Sequence, residues 1–579
     1  MTTPVRTSWI RRREALQIGA LLVVALASWR LTATYALLSH TVDEPTHISS
    51  GLEWLETGTQ RLHPENPPLG RIGAGVGSWL AGRALPPTGT APQRGTELLY
   101  AADRYLSNLR SARLATLPFF LLMALVVWRW SDQVAGPRAA FVATVAVCSL
   151  PPVLAHAGLA TTDVPFAALF VLSVWALVGW IEAPGAARSI GLGVALGAAL
   201  ATKFSTLLFF PPVALVALLS WGLASRGGPR PDWARMVVGA LVVLPAAILV
   251  LWAAYRFDVG RLDGLAGAAR VIESAFPDPE SAGRTLAEQI ARLPLPAPGA
   301  IHGLLFLKAH TVLGHSAYAL GQESEHGFWY FYPLALAVKT PFSFLLLLAL
   351  GLVGGLRQEG RRAWRSLAPA LAAMAILAVS MLSTLNIGLR HVLALYPLLA
   401  VTAGLGTDAL LTTATARRRT AIVALAGVAL VWQLALVFTT FPDYLAYFNP
   451  LAGRDPGRVL VDSDLDWGQD ALRLEEVVGR LDVPLLNIAY FGSVRLCELE
   501  LPELDWLPPG EPVKGWVAIS EMYYRDHWRV TYSEPCDRTR GAGRAAPGAS
   551  YDWLRHHRPV AFAGRSIRLY RIGSEGGHD

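Results

Sequence analysis

Charge is scarce in this chain. Only 16% of its 579 residues are Asp, Glu, Lys or Arg, while 53% are hydrophobic and the mean hydropathy is +0.38. Soluble proteins of this size rarely reach that balance, so the composition argues against a soluble enzyme. Cysteine is scarcer still: Cys148, Cys497 and Cys536 are all there is. Lysine is rare beside arginine, a bias that suits a GC-rich genome and carries no mechanism. Internal repeats and compact metal-ligand motifs are also missing.

What fills the space is long apolar sequence. A span across the hydrocarbon core takes roughly 20 apolar residues. About eleven segments qualify: 15–38, 113–130, 139–153, 164–181, 189–203, 206–223, 236–255, 333–356, 366–385, 390–411 and 420–440. The ends of the third and fifth are the least defined. The first is too long for a signal-peptide core, and Ser39-His40 is a poor cleavage site, so it is expected to be retained. The expected fold is an α-helical polytopic membrane protein of about eleven transmembrane helices, with extracytoplasmic loops and a small C-terminal α/β domain.

The net charge of +7 reads as topology rather than as a nucleic-acid footprint. Arg6, Arg11, Arg12 and Arg13 precede the first span. Arg226, Arg230 and Arg235 lie between the sixth and seventh. Arg357, Arg361, Arg362 and Arg365 follow the eighth, and Arg417, Arg418 and Arg419 the tenth. Eleven spans put all of these on one side, and positive loops stay cytoplasmic. The N-terminus is then cytoplasmic. Loops 39–112 and 256–332 and the tail 441–579 are extracytoplasmic, in an integral protein of the plasma (inner) membrane. Cys148 reads as inert packing. Cys497 and Cys536 fall in the tail, where an oxidising compartment lets them pair; two free thiols is the alternative.

Three regions follow: a core with the first outer loop (1–255), the second outer loop and later spans (256–440), and a soluble region (441–579). Short surface helices are expected over 48–55 and 98–109. The aromatic run at 327–333 marks the membrane interface, with a substrate platform as the lesser reading. In the tail, 458–464, 484–492, 515–520 and 566–572 read as strands and 467–481 as a helix. Residues 538–546 and the last few look flexible.

The sparse charges mark candidate chemistry. Asp43 and Glu44 close the first apolar segment, and ionisable groups at a membrane boundary are functional candidates. A carboxylate there serves as a general base on an acceptor hydroxyl or holds a divalent cation; the alternative is a solvated acidic pair. Asp163 and His156 lie in PPVLAHAGLATTDVPF (151–166), with N-capping of the fourth span as the bland reading of Asp163 and a satisfied interface histidine that of His156. Glu65 lies in ENPPL (65–69), whose prolines also suit a rigid loop entering a helix. Lys203, Arg256, Lys339, Arg390 and His391 sit at the outer ends of spans. There they suit a phosphate, or simply snorkel to headgroups. One reaction unites these features: transfer of a sugar from a polyprenyl phosphate, with a carboxylate base, cationic stabilisation of the leaving phosphate and inversion at the anomeric carbon.

With these residues in view, the chain resembles the lipid-linked sugar transferases of the glycosyltransferase C superfamily. It is most similar to protein O-mannosyltransferases and lipid A aminoarabinose transferases. Residues 40–75 and 151–205 carry the likeness, more weakly the region of Arg390, in the Asp-Glu pair, the Pro-Pro-Leu element and the HAGLATTD run. The resemblance implies that Asp43 is the catalytic acid of the site, that Asp163 is its second acid and that Glu65 lines its cavity. It implies a polyprenyl-phosphate-linked hexose or pentose donor, an acceptor of unstated class and membrane-lipid contact. Glu44, Glu65, His156, Lys203, Arg390 and His391 are its expected substrate-binding residues. A divalent cation is compatible with the acids but required by no motif. One departure stands out: relatives using aminoarabinose have a Lys where this chain has Asn66, which throws phosphate binding onto Arg390 or Lys203. The runs at 321–341 and 447–470 resemble a bacterial subgroup of phospholipid-carrier-dependent glycosyltransferases; in DSDLDWGQD (462–470) Asp464 or Asp466 reads as a cap, with binding of a cation or acceptor as the alternative. The rivals are a transporter or flippase, which predicts paired discontinuous helices and an inverted repeat, and a non-catalytic assembly protein.

Overall fold

The computed structural model describes residues 4–226, 232–265, 267–525, 531–532, 543–544 and 549–573. Arg230 and most of 538–546 lie outside them. Every one of the eleven expected segments is helical. Among the described residues eight helices are long and apolar enough to cross a membrane, or ten if each of two bent pairs counts as one span. The remaining segment is the shorter apolar helix Ala186–Leu200. The molecule is an α-helical polytopic membrane protein with a small C-terminal sheet region.

Both bends follow from proline. Pro137–Cys148 and Pro151–Ala157 meet at 66°, and Phe331–Lys339 and Phe342–Leu356 at 107°. Pro151 and Pro341 remove a backbone donor and push the preceding residue out of helical geometry, so each helix stops and restarts. The second break lays the aromatic Phe331–Lys339 across the end of the bundle. Elsewhere small residues set the packing. A Cβ on Gly406 would lie 1.7 Å from the Gly351 carbonyl oxygen, so Phe342–Leu356 and Leu395–Thr413 cross in backbone contact.

One end of the bundle is tied by ion pairs: Arg13 with Asp132 at 2.9 Å, Arg138 with Asp408 at 3.0 Å, and Arg365 with Glu182. The loops read as outer gather at the opposite end. The first forms helices Glu44–Thr57, Pro68–Leu80, Ala91–Tyr100 and Tyr105–Leu114. Both expected stretches are helical, the second broken at 101–103, where Ala102 and Asp103 adopt positive φ; Ile48, Leu52, Leu98, Leu99 and Leu109 pack into one buried cluster. The second loop carries Ala268–Ala275, Ala282–Ala291 and Pro298–Leu313.

In the tail, strands Leu485–Ala489, Gly515–Ser520 and Ile567–Ile572 and helix Ala471–Val478 form as expected. With Glu503–Trp506 and Ala561–Ala563 the strands make a five-stranded mixed sheet. The strand expected over 458–464 does not form. Two 3-10 turns, Pro456–Arg458 and Asp462–Asp464, replace it, because Asp462 takes a φ of 56° and its neighbours bond to another part of the chain. Cys497 is disulfide-bonded; its expected partner Cys536 lies outside the described residues.

Candidate active site

Asp43 and Glu44 are adjacent but point apart. Asp43 precedes helix Glu44–Thr57 without capping it by its side chain. Its carboxylate faces a cavity of about 940 Å³, where Arg390 Nη1 donates to its Oδ2 at 2.6 Å. Asp163 comes from the first turn of the buried helix Asp163–Glu182. It does not cap that helix either: Lys203 Nζ donates to its Oδ1 at 2.9 Å, Thr161 Oγ1 to its Oδ2 at 3.2 Å, and Arg390 Nη1 lies 4.0 Å away. The two acids expected to share a pocket therefore do, bridged by one guanidinium.

Arg390 sits in the short turn Leu389–Val392. Its guanidinium carbon lies over the Trp467 ring, 4.2 Å from the centroid. Among the described residues its Nε and the Nε2 of His391 are buried without a hydrogen-bond partner, as is Nδ1 of His47. All three residues line the cavity. A buried polar atom left unpaired costs roughly 1–3 kcal/mol, so beside a cavity such an atom is available to a polar ligand.

Glu65 and His63 form a third cluster on the cavity wall, Nε2 to Oε1 at 3.3 Å. Burial and the charge of Arg71 hold His63 down at about 2, so this contact joins a neutral ring to the acid. Burial pushes Glu65 up to about 7; Asp43 adds to the rise and Arg71 opposes it. Pro67 and Pro68 start helix Pro68–Leu80 beside it, so the rigid-loop reading of ENPPL also holds. Asn66 lines the same wall.

The cavity lining mixes polar and apolar side chains. Leu207, Leu208, Leu304, Leu307, Val379 and Leu382 line the side formed by Ser205–Ala224, Pro298–Leu313 and Gly360–Ser380, together with Lys308, His310 and Thr311. Leu208 and Leu382 are exposed on the outside of the bundle. A smaller apolar hollow of about 130 Å³ adjoins this side, sharing Phe204, Leu207 and Leu304.

Several sequence candidates lie elsewhere. Glu44 was expected to bind substrate, but it is fully buried away from the cavity. Arg113 clamps it with two bonds of 2.8 Å, and the backbone amides of Thr41 and Ala160 complete its shell. Burial alone would raise its pKa; the Arg113 charge and these donors outweigh that and lower it. His156, expected to face the same water as Asp43, is buried behind Trp467, ring centroids 6.1 Å apart. Arg256 bonds the Trp54 carbonyl and Lys339 the carbonyls of Leu445 and Asp464, so neither faces the cavity. Asp464 and Asp466 are not caps: they accept from the amides of Leu389 and of Met522 and Gly468. Sequence reasoning missed His47 and Trp467. His47 was findable, because its i,i+4 spacing from Asp43 puts both on one face. Among the described residues no group of three or more His, Cys, Asp or Glu side chains converges to hold a metal ion.

No curated protein sequence matches the chain. Its fold is similar to that of ArnT from Cupriavidus metallidurans, solved bound to undecaprenyl phosphate: 14% identity, TM-score 0.48, covering 96% of this chain and 99% of that one. It is also similar to the oligosaccharyltransferase AglB from Archaeoglobus fulgidus, solved with an inhibitory peptide and a dolichol-phosphate, at 12% identity and a TM-score of 0.44, covering 72% of this chain and 55% of that one. Mycobacterial arabinofuranosyltransferase AftD aligns at 13% identity and a TM-score of 0.38, over 97% of this chain and 40% of its own. Asp43 and Arg390 lie outside the segment that a family model matches, while Glu65, Asp163 and Lys203 lie within it. Residues 52–259 match the model of the dolichyl-phosphate-mannose-protein mannosyltransferase family, a segment that takes in the Pro-Pro-Leu element and the HAGLATTD run but not the Asp-Glu pair.

Proposed function

We propose that this integral membrane protein transfers a sugar from a polyprenyl-phosphate carrier to an acceptor hydroxyl at the extracytoplasmic face. The observation that carries this reading is the bridge of Asp43 and Asp163 by Arg390 in a cavity whose wall also carries a row of leucines. Those leucines suit an isoprenoid chain. The unpartnered Nε of Arg390 and Nε2 of His391, with the Lys203 ammonium, suit the phosphate.

The roles follow from what each group has left to offer. Arg390 occupies Oδ2 of Asp43, and among the described residues Oδ1 accepts no hydrogen bond. That oxygen takes the proton of the acceptor hydroxyl as the acceptor oxygen bonds to the anomeric carbon. The bond from that carbon to the phosphate oxygen breaks, and the electron pair leaves on the polyprenyl phosphate. Arg390 and Lys203 stabilise that charge as it develops. Asp163 holds both cations in place, and attack opposite the leaving phosphate inverts the configuration. Trial of donors decides between hexosyl and pentosyl transfer, and trial of acceptors between a protein, a lipid and a polysaccharide.

The test supplies a panel of polyprenyl-phosphate sugars to the purified protein in detergent. Asp43→Asn should lower turnover by about 10²–10⁴-fold with folding intact, the usual scale for losing a general base. Unchanged turnover removes the assignment. Runs with EDTA and with added magnesium or manganese show whether a divalent cation joins Asp43 and the phosphate.

A transporter reading has one observation in its favour, the two bent helix pairs, which the sequence did not reveal. It predicts lipid-linked sugar moved between leaflets of a liposome without chemical change. Sugar transfer in detergent, with no second compartment, separates the two.

A further inference from the structure

The two halves of the Asp43–Arg390 pair come from regions 347 positions apart, and one short segment of the tail grips both. On the Asp43 side, the amide of Val42 donates to the Trp467 carbonyl at 3.1 Å and that of Ser39 to the Gln469 carbonyl at 3.0 Å. Ser39 Oγ bonds the Gly468 carbonyl and accepts from the Ala471 amide. On the Arg390 side, Asp464 accepts from the Leu389 amide at 3.2 Å, and Ser463 Oγ donates to the Ile387 carbonyl. Between these two grips stands Trp467, 2% exposed, with its ring under the Arg390 guanidinium.

We propose that residues 463–471 act as a strap that assembles the site, with Trp467 the residue that positions Arg390 for an anionic lipid phosphate. This rests on the transferase reading for its ligand. The physical reason is specific to stacking. A cation on an aromatic face is held without consuming any N–H, so the in-plane donors of the guanidinium stay available. Nη1 goes to Asp43, and the unpartnered Nε is left for a phosphate oxygen. A carboxylate in place of the ring would hold Arg390 as firmly but occupy the donors the phosphate needs. The C-terminal region is therefore part of the site rather than an appendage to it.

The experiment compares wild type, Trp467→Leu, Trp467→Phe and Ser463→Ala as full chains in detergent. Binding of undecaprenyl phosphate itself is read first, since it needs no sugar or acceptor. Trp467→Leu should weaken it about tenfold to thirtyfold, the scale of a desolvated cation–π contact, and Trp467→Phe, which keeps a ring face, should recover most of that. Hydrogen exchange is read in parallel: Trp467→Leu should speed exchange in 39–45 and in 385–392 together, and Ser463→Ala in 385–392. If Trp467→Leu fails to fold, Ser463→Ala and Trp467→Phe still decide. Unchanged exchange at 385–392 in Ser463→Ala, or Trp467→Phe binding far more weakly than wild type, overturns the proposal. Normal strap exchange effects with no lipid-phosphate binding by wild type would instead remove the transferase reading and leave the strap standing.

Discussion

Asp43 and Glu44 are neighbours in sequence, each paired with an arginine, and the two pairs could hardly differ more. Glu44 and Arg113 are fully buried, and Arg113 spends its remaining donors on the carbonyls of Leu38 and Ser39. Neither Glu44 nor Arg113 lines the cavity. In the other pair the Asp43 side chain is 34% exposed to the cavity and Arg390 keeps an unmade donor. A closed pair holds a turn; an open pair, with a donor still unmade beside a cavity, is free to be used. Completeness of the hydrogen-bond shell, rather than charge or position, separates scaffold from candidate chemistry here.

The strongest way to break this contrast is to remove one member of the closed pair. Glu44→Gln or Arg113→Met should cost about 3–5 kcal/mol of stability, because each strands a buried charge. Thermal unfolding in detergent and the yield of monodisperse protein read it. A stable, well-expressed Glu44→Gln that has lost sugar transfer would place Glu44 in the chemistry and erase the distinction.

The open pair is sharpened by changing shape without charge. Arg390→Lys keeps the cation but loses the planar fork, so one ammonium cannot serve Asp43, Asp163 and a phosphate at once. Turnover should fall about ten- to a hundredfold, the scale of one lost charge-assisted hydrogen bond, with the unfolding temperature nearly unchanged. A large drop in stability would mean the pair is structural after all.

The legible part of this molecule was its apolar periodicity and its rare charges. Spans announce themselves by length, and Asp43, Glu65, Asp163, Lys203, Arg390 and His391 were singled out because ionisable groups near a membrane are few. Their convergence on one cavity is tertiary. Direction was not legible: two adjacent carboxylates look alike until the helix Glu44–Thr57 turns one inward to Arg113. His156 failed for the same reason, the bend after Pro137–Cys148 carrying it behind Trp467. The segment 458–464 alternates like a strand, but Ser463 and Asp464 are spent on the loop before Arg390, and that long-range bonding overrode the local pattern. Trp467 carried no signal as a site residue, since an aromatic in a tail reads as core.

The smallest expected effect concerns Glu65, which falls between the two pairs. It is half-buried like a scaffold acid, yet its partner His63 is neutral and it faces the cavity. Its folded-state value of about 7 lies above the ordinary 4.5, so the folded protein holds a proton there that the unfolded chain releases. The contribution is therefore present below pH 4.5 and is lost as pH rises through 7. Stability should fall across that window by at most about 1.4 kcal/mol per pH unit. Unfolding midpoints measured from pH 5 to pH 8 should decline in wild type and flatten in Glu65→Gln, which mimics the protonated acid. A slope that survives in Glu65→Gln belongs to another group, with buried Asp464, raised to about 6 by burial, the next to test. A slope that vanishes identifies an uncommitted proton about to be shared with whatever enters the cavity. Glu65 then sides with the open pair, as an acid whose partner is the ligand.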